Sequence, residues 1–182
     1  MDLSLKMSKY STIAIIIIGS LIFPGFKSVN GTSKKSNDAL LFKIERNKDA
    51  NVIHYEVNLD EKGNLNAGSP VRIYWIRHTE GGELKPLTLV QKKFSYGLNF
   101  DSISKKEAVF KFVAFKNREF RIFCKGGDEY CVFTISNNRK VIVKKIFVQI
   151  DGGSFWLPEI SRVELHGEDH ESGDKILEII TP

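Results

Sequence analysis

Along residues 40–180 the apolar side chains recur mostly at every second position, the period of an extended chain with one face turned inward. The clearest run sets Ile53, Tyr55, Val57 and Leu59 against His54, Glu56 and Asn58, and predicts a half-buried antiparallel strand. Before it, Leu40, Phe42 and Ile44 alternate with Leu41, Lys43 and Glu45 as a first strand. After turns at Asp60–Asn64 and Asn66–Pro70 comes Val71 to His78, with Val71, Ile73 and Trp75 on one face and Tyr74 and Ile76 on the other. Apolar weight on both faces predicts a strand inside a sheet. Pro70 suits its first position, where a missing N–H costs least.

Thr79–Glu83 ends that strand, and one helix follows. Thr88-Leu-Val-Gln91 has the capping-box spacing, in which the hydroxyl and the amide each satisfy an orphan N–H. Gly97 is expected to close the helix, and Leu89, Val90 and Phe94 to form its buried stripe. From Leu98 strands resume. Ala108–Phe115 reads as an interior strand, and Phe120, Ile122 and Cys124 share a face. A two-residue turn at Gly127-Asp128 would set Phe120 opposite Ile135, Ile122 opposite Phe133 and Cys124 opposite Cys131. Asn137-Asn138 is a turn that accepts positive φ. Beyond it the apolar phase of Val141-Ile-Val143 differs from that of Ile146, Val148 and Ile150, which predicts a bulge at Lys144-Lys145. A loop through Gly152-Gly153 and Pro158 leads to a strand at Ser161–Leu165, and a last one spans Lys175–Ile180. The expectation is an all-β, antiparallel sandwich or barrel of about nine or ten strands with one short helix.

The first 31 residues follow a different rule. Lys6 and Lys9 precede an apolar run, Ile13–Phe23, that Pro24-Gly25 breaks. That order is the signature of an export signal, and the run is shorter than the roughly 20 residues that span a bilayer comfortably. Residues 1–31 are therefore read as a signal peptide, with cleavage after Val29-Asn30-Gly31, or as an uncleaved N-terminal anchor. Residues 32–39 are a polar linker, and residues 40–182 a single β-rich domain. Setting the leader aside lowers the formal charge from +5 to about +3, because Lys6, Lys9, Lys27 and Asp2 leave with it. The remaining lysine pairs, Lys34-Lys35, Lys92-Lys93, Lys105-Lys106 and Lys144-Lys145, are scattered and read as solvated surface. No nucleic-acid partner is expected. Contact with a membrane is expected only through an uncleaved leader.

Candidate chemistry is sparse. In the hairpin register above, Cys124 and Cys131 would have Cα atoms about 5.5 Å apart, within disulfide range, and an exported chain meets oxidising surroundings. The same face would equally bury two free thiols. His166-Gly-Glu-Asp-His170, with Glu164 and Asp174, gathers metal-capable side chains, but Gly167 and Ser172-Gly173 read as a hairpin loop, and no metal site is assigned. Tyr74, Trp75, Arg77 and His78, joined by Phe155-Trp156, have the chemistry of a ligand pocket. Against that, Trp75 reads as core, Arg77 and His78 as the wet end of a strand, and Trp156 as a loop cover. No hydrolase elbow, zinc-protease motif, phosphate loop or dinucleotide fingerprint is present, and no cofactor or catalytic residue is expected.

Asn51–Asp60, Gly63-Asn-Leu-Asn66, Pro70–Trp75, the helix from Gln91 to Tyr96 and Val163-Glu-Leu-His-Gly167 resemble a family of exported bacterial β-rich domains of unknown function. The resemblance implies a bacterial, envelope-directed, single-domain protein, periplasmic or secreted, and carries over no functional residue. Three roles follow as expectations. The first is a non-catalytic structural or binding module that engages an envelope component. The second is a barrel holding a small apolar ligand. The third is an envelope hydrolase with dispersed residues such as His78 or His166.

Overall fold

In the computed structural model, residues 39–154 and 158–181 are described, and the leader, most of the linker and Phe155-Trp156 lie outside them. The alternating pattern forms eleven strands, slightly more than expected. They are β1 (Leu40–Arg46), β2 (Asp49–Val57), β3 (Val71–Arg77), β4 (Glu83–Pro86), β5 (Leu98–Ile103), β6 (Glu107–Phe112), β7 (Phe115–Gly126), β8 (Glu129–Ser136), β9 (Arg139–Gly153), β10 (Pro158–Asp169) and β11 (Lys175–Ile180). Among the described residues one α-helix, α1, spans Leu89–Phe94, and a 3-10 turn spans His78–Glu80. The strand without a counterpart in that reading is β4, and the stretch read as one, Ala108–Phe115, holds β6 and the start of β7. The chain reverses tightly after Phe112, which pairs with Phe115. Val113-Ala114 carries none of the residues that announce a turn.

The strands form one curled sheet in the order β4-β3-β2-β1-β9-β8-β7-β6-β5, with β10 on the other edge of β9 and β11 beyond it. The long strand β9 makes the curl possible. Residues 139–142 pair with β8, residues 145–148 pair with β1, and the opposite edge pairs with β10. The handover from β8 to β1 falls at Lys144-Lys145, where the register against β10 slips between His166 and Gly167. The predicted bulge is there: it adds a residue, bends the strand and splits the sheet into two wings whose inner faces meet. The β1–β9 pair is parallel, unlike every other pair among the described strands.

The inner faces are filled. Phe42 stacks on Tyr55 with ring centroids 4.4 Å apart, Phe110 stacks on Phe120 at 5.5 Å, and Phe112 meets Phe42, Tyr55 and Phe120 edge-on. Ile44, Ile53, Ile122, Val132, Val143, Ile146 and Leu165 complete this core. Gly167 permits the close approach of β10 to β9, since a Cβ there would lie 2.4 Å from the Ile142 carbonyl oxygen. His166-Gly-Glu-Asp169 is thus the end of a strand and not the loop that its glycine suggested.

The β7–β8 hairpin corrects the cysteine expectation. Its turn is at Gly127-Asp128 as predicted, with Gly126 opposite Glu129. A register shift between Cys124 and Gly126 then sets Cys124 opposite Tyr130 and Phe123 opposite Cys131. Residues directly opposite share a face, so Cys124 turns inward with Tyr130 while Cys131 turns outward with Phe123. Both are free thiols. One extra residue at Lys125 moved every pair downstream by one.

Candidate functional site

The capping box at the start of α1 forms in full: Gln91 N–H donates to Thr88 Oγ1 (3.2 Å), and Gln91 Oε1 accepts from Thr88 N–H (3.0 Å). The same Gln91 oxygen accepts from Trp75 Nε1 at 3.4 Å, which ties the helix to the inner face of β3. Trp75 meets Tyr96 edge-on at 5.5 Å, and the Arg46 guanidinium lies 4.6 Å above the Trp75 ring. Arg46 donates to Tyr96 Oη (3.1 Å) and to Asp49 Oδ2 (2.7 Å). Tyr55 Oη, fully buried, donates to the Tyr96 carbonyl at 2.8 Å, and burial pushes its pKa well above that of an ordinary phenol. Alternation alone placed Trp75 and Tyr55 inside, but the roles of Arg46 and Tyr96, far apart in sequence, left no local signal.

The helix does not bury the stripe expected of it. Leu89 is 84% and Phe94 63% exposed, with Val90 also exposed. What anchors the segment lies at its ends: Leu87 before it, and Tyr96 and Gly97 after it. Gly97 serves a different purpose from the one its position suggested. Its φ is not in the left-handed region, but a Cβ there would lie 1.8 Å from the Lys92 carbonyl oxygen. Glycine is what lets the chain pass directly under the last turn of the helix.

Beside this helix lies a cleft of about 400 Å³, lined by the start of β3 (Val71, Ile73), by β5 (Leu98, Phe100, Ile103) and by Lys92 and Lys93. It is the open seam of the curled sheet. At one end the Leu65 N–H donates to the Lys105 carbonyl (2.8 Å), and at the other Trp75, Tyr96 and Tyr55 close the gap. Between these ties the edges of β3 and β5 stay apart. The Asn58 N–H donates to the Pro70 carbonyl, so Pro70 faces β2, and the alternation of a strand turns the amides of Val71 and Ile73 the other way. There β4 gives no cover, because its pairing with β3 starts only at Tyr74. On the opposite wall, Val113 N–H donates to the Gly97 carbonyl, which by the same alternation turns the Leu98 amide away from β6 and into the seam.

The structure separates the four residues read as a pocket. Trp75 is buried on the inner face, as the alternative reading had it. Tyr74 lies on the outer face, donates to Glu56 and packs against His54 at 5.8 Å; burial first and that carboxylate second raise its pKa. Arg77 pairs with Glu80, and His78 is exposed in the 3-10 turn. Phe155-Trp156 lies outside the described residues. His166 meets Glu164 at 3.0 Å on the outer face of β10, whereas His170 packs against Phe123 on the outer face of β7. Among the described residues no group of three or more metal-capable side chains converges. Neither the seam nor its lysines were assigned a role from sequence, because an unpaired strand edge has no residue signature of its own.

No curated protein and no solved structure matches the chain. A family model does, over residues 42–179, nearly the whole extent of the curled sheet from β1 to β11. The chain therefore belongs to the DUF4833 family, a domain of unknown function.

Proposed function

We propose that this domain is a non-catalytic binding module, acting outside the cytoplasm, that engages its partner through the seam between β3 and β5 and the adjoining face of α1. The observation that carries the reading is a pairing of opposites: a core packed with interlocking rings, and beside it an open cleft whose wall includes Lys92 and Lys93 of α1, the helix that also exposes Leu89, Val90 and Phe94. An apolar patch rimmed by charge is the usual mark of an interaction surface. Among the described residues the interlocked rings of Phe42, Tyr55, Phe110, Phe112 and Phe120 take up the space between the wings that the small apolar ligand of a carrier would need. The hydrolase alternative needs a histidine paired with an acid in a cleft. The His166–Glu164 pair lies instead on the outside of β10, and no described residue lining the seam is a histidine.

Site-specific photo-crosslinking in the full chain tests the binding role. A benzophenone side chain at Ile103, in the seam, is expected to join a peptide of a second chain. The same probe at Ile135, exposed on β8, is expected to join none. Equal labelling from both positions, or none from Ile103, refutes the seam as the site. Export is tested by mass spectrometry of the N-terminus, expected to start near Thr32 in the extracytoplasmic fraction. An intact leader found in the cytosol refutes it.

A further inference from the structure

Resting on that reading of the seam, we propose that its occupant is a short extended peptide segment, apolar at alternate positions and bearing an Asp or Glu, which adds to the exposed edges of β3 and β5 as an extra rung. Three observations converge on it. The first is the backbone: Val71 and Ile73 on one wall and Leu98 on the other direct their amide N–H groups into the gap, the Val71 carbonyl accepting from Ser69 Oγ (3.3 Å), and β4 covers only the later half of β3. A free edge of this kind recognises another backbone through main-chain hydrogen bonds and takes alternate side chains into pockets.

The second observation is size. A residue in a packed sheet occupies about 160 Å³, from a rise of 3.3 Å, a strand spacing of 4.8 Å and a sheet spacing of 10 Å. The cleft of about 400 Å³ therefore admits two or three residues, and the uncovered part of β3 is Val71–Ile73. The lining side chains Val71, Ile73, Leu98 and Phe100 are apolar, so the inward-facing positions of the segment must be apolar too.

The third observation is charge. Lys92 and Lys93, in the last turn of α1, line the cleft, and neither has a carboxylate partner among the described residues. Elsewhere on the domain lysines are commonly paired, as Lys85 is with Glu80 and Lys111 with Asp101. Two ammonium groups without a carboxylate, that of Lys93 resting 5.3 Å from the Phe94 ring centre, on the wall of a cleft whose only other polar side chains are Ser69 and Asn99, select an acid in the segment and reject a base.

The test uses random heptapeptides displayed on phage, selected on the full chain and, in parallel, on the Lys92→Glu/Lys93→Glu variant. Both lysines are solvent-exposed, and unchanged circular dichroism will show that the variant folds. Wild type is expected to enrich peptides that alternate apolar residues around an Asp or Glu. A synthetic peptide of the enriched sequence should bind the variant roughly tenfold or more weakly. It should also slow amide exchange at Val71, Ile73 and Leu98. Enrichment of basic or uncharged peptides, equal selection on both proteins, protection elsewhere, or no enrichment overturns the acidic-strand assignment. If crosslinking from Ile103 still succeeds in that case, the seam remains a binding site with another class of partner; if both fail, the binding role falls with it.

Discussion

Replacing Gly97 with alanine is the sharpest probe of how the helix is held beside the seam. An alanine Cβ would lie 1.8 Å from the Lys92 carbonyl oxygen and 2.8 Å from the Lys92 carbonyl carbon. Non-bonded atoms settle near 3.5 Å, so roughly 1.5 Å of relative movement is needed. The obstacle is backbone, and no side-chain rotation relieves it. The last turn must lift, which stretches the bonds from Ser95 and Tyr96 N–H to the Gln91 carbonyl and disturbs the contact of Gln91 with Trp75. Forced overpacking costs about 1–3 kcal/mol, and this case belongs at the upper end because main chain meets main chain. For a domain of this size about 3 kcal/mol lowers the melting temperature by roughly 9 °C. Two controls isolate the cause. Gly68→Ala, whose Cβ would meet its nearest neighbour at an ordinary 3.5 Å, should change little. Gly81→Ala has open space but a φ of +73°, and should cost about 1 kcal/mol through backbone strain alone. Thermal denaturation of the three variants side by side decides it. A Gly97→Ala protein that melts within a degree or two of wild type refutes the close passage under α1 and, with it, the placement of Lys92 and Lys93 on the cleft.

Further predictions bear on the core, the thiols and acid stability. Tyr55→Phe keeps the ring stack on Phe42 but deprives the Tyr96 carbonyl of its donor, and should cost about 1–2 kcal/mol in urea unfolding; a neutral result would mean that the bond contributes nothing. Thiol titration of the unfolded chain, without reductant, should find two free groups, whereas zero would show Cys124 and Cys131 joined despite facing opposite sides of the sheet. Burial pushes the Cys131 thiol up to about 11, so at pH 8 the folded protein should alkylate at Cys131 far more slowly than the urea-unfolded chain; equal rates would refute the burial. Arg118 grips Glu178 with a 2.7 Å bond that ties β7 to β11, and that bond, ahead of all other influences, lowers the Glu178 pKa. The stability it adds is complete above the ordinary glutamate pKa and is lost as pH falls through the depressed folded value. Glu178→Gln should therefore flatten the acid limb of the stability–pH profile, and an unchanged limb would show that the pair is not formed in solution.

What the sequence by itself determined is whatever depends on neighbours in the chain. The two-residue alternation of Ile53, Tyr55 and Val57 settled the β class and the inner face of β2. Asn137 and Asn138 settled a turn, both taking positive φ. Thr88 and Gln91 settled the helix start, and the phase change at Lys144-Lys145 settled a bulge. Each of these is a local steric or hydrogen-bonding preference, satisfied within a few residues. The tertiary structure decided what depends on distant partners. Whether β9 hands its edge from β8 to β1, and does so in parallel, rests on strands about a hundred residues apart. Whether Leu89 and Phe94 are buried depends on where the sheet sets the helix, and its ends, held by Leu87 and Tyr96, leave both side chains exposed. Whether Cys124 meets Cys131 turned on one extra residue near Lys125, which the apolar pattern accommodated equally well. The seam is the fullest case: Val71, Ile73, Leu98 and Phe100 read as ordinary strand residues, and only the curl of the sheet, set by that bulge, leaves their edges facing each other without a strand between.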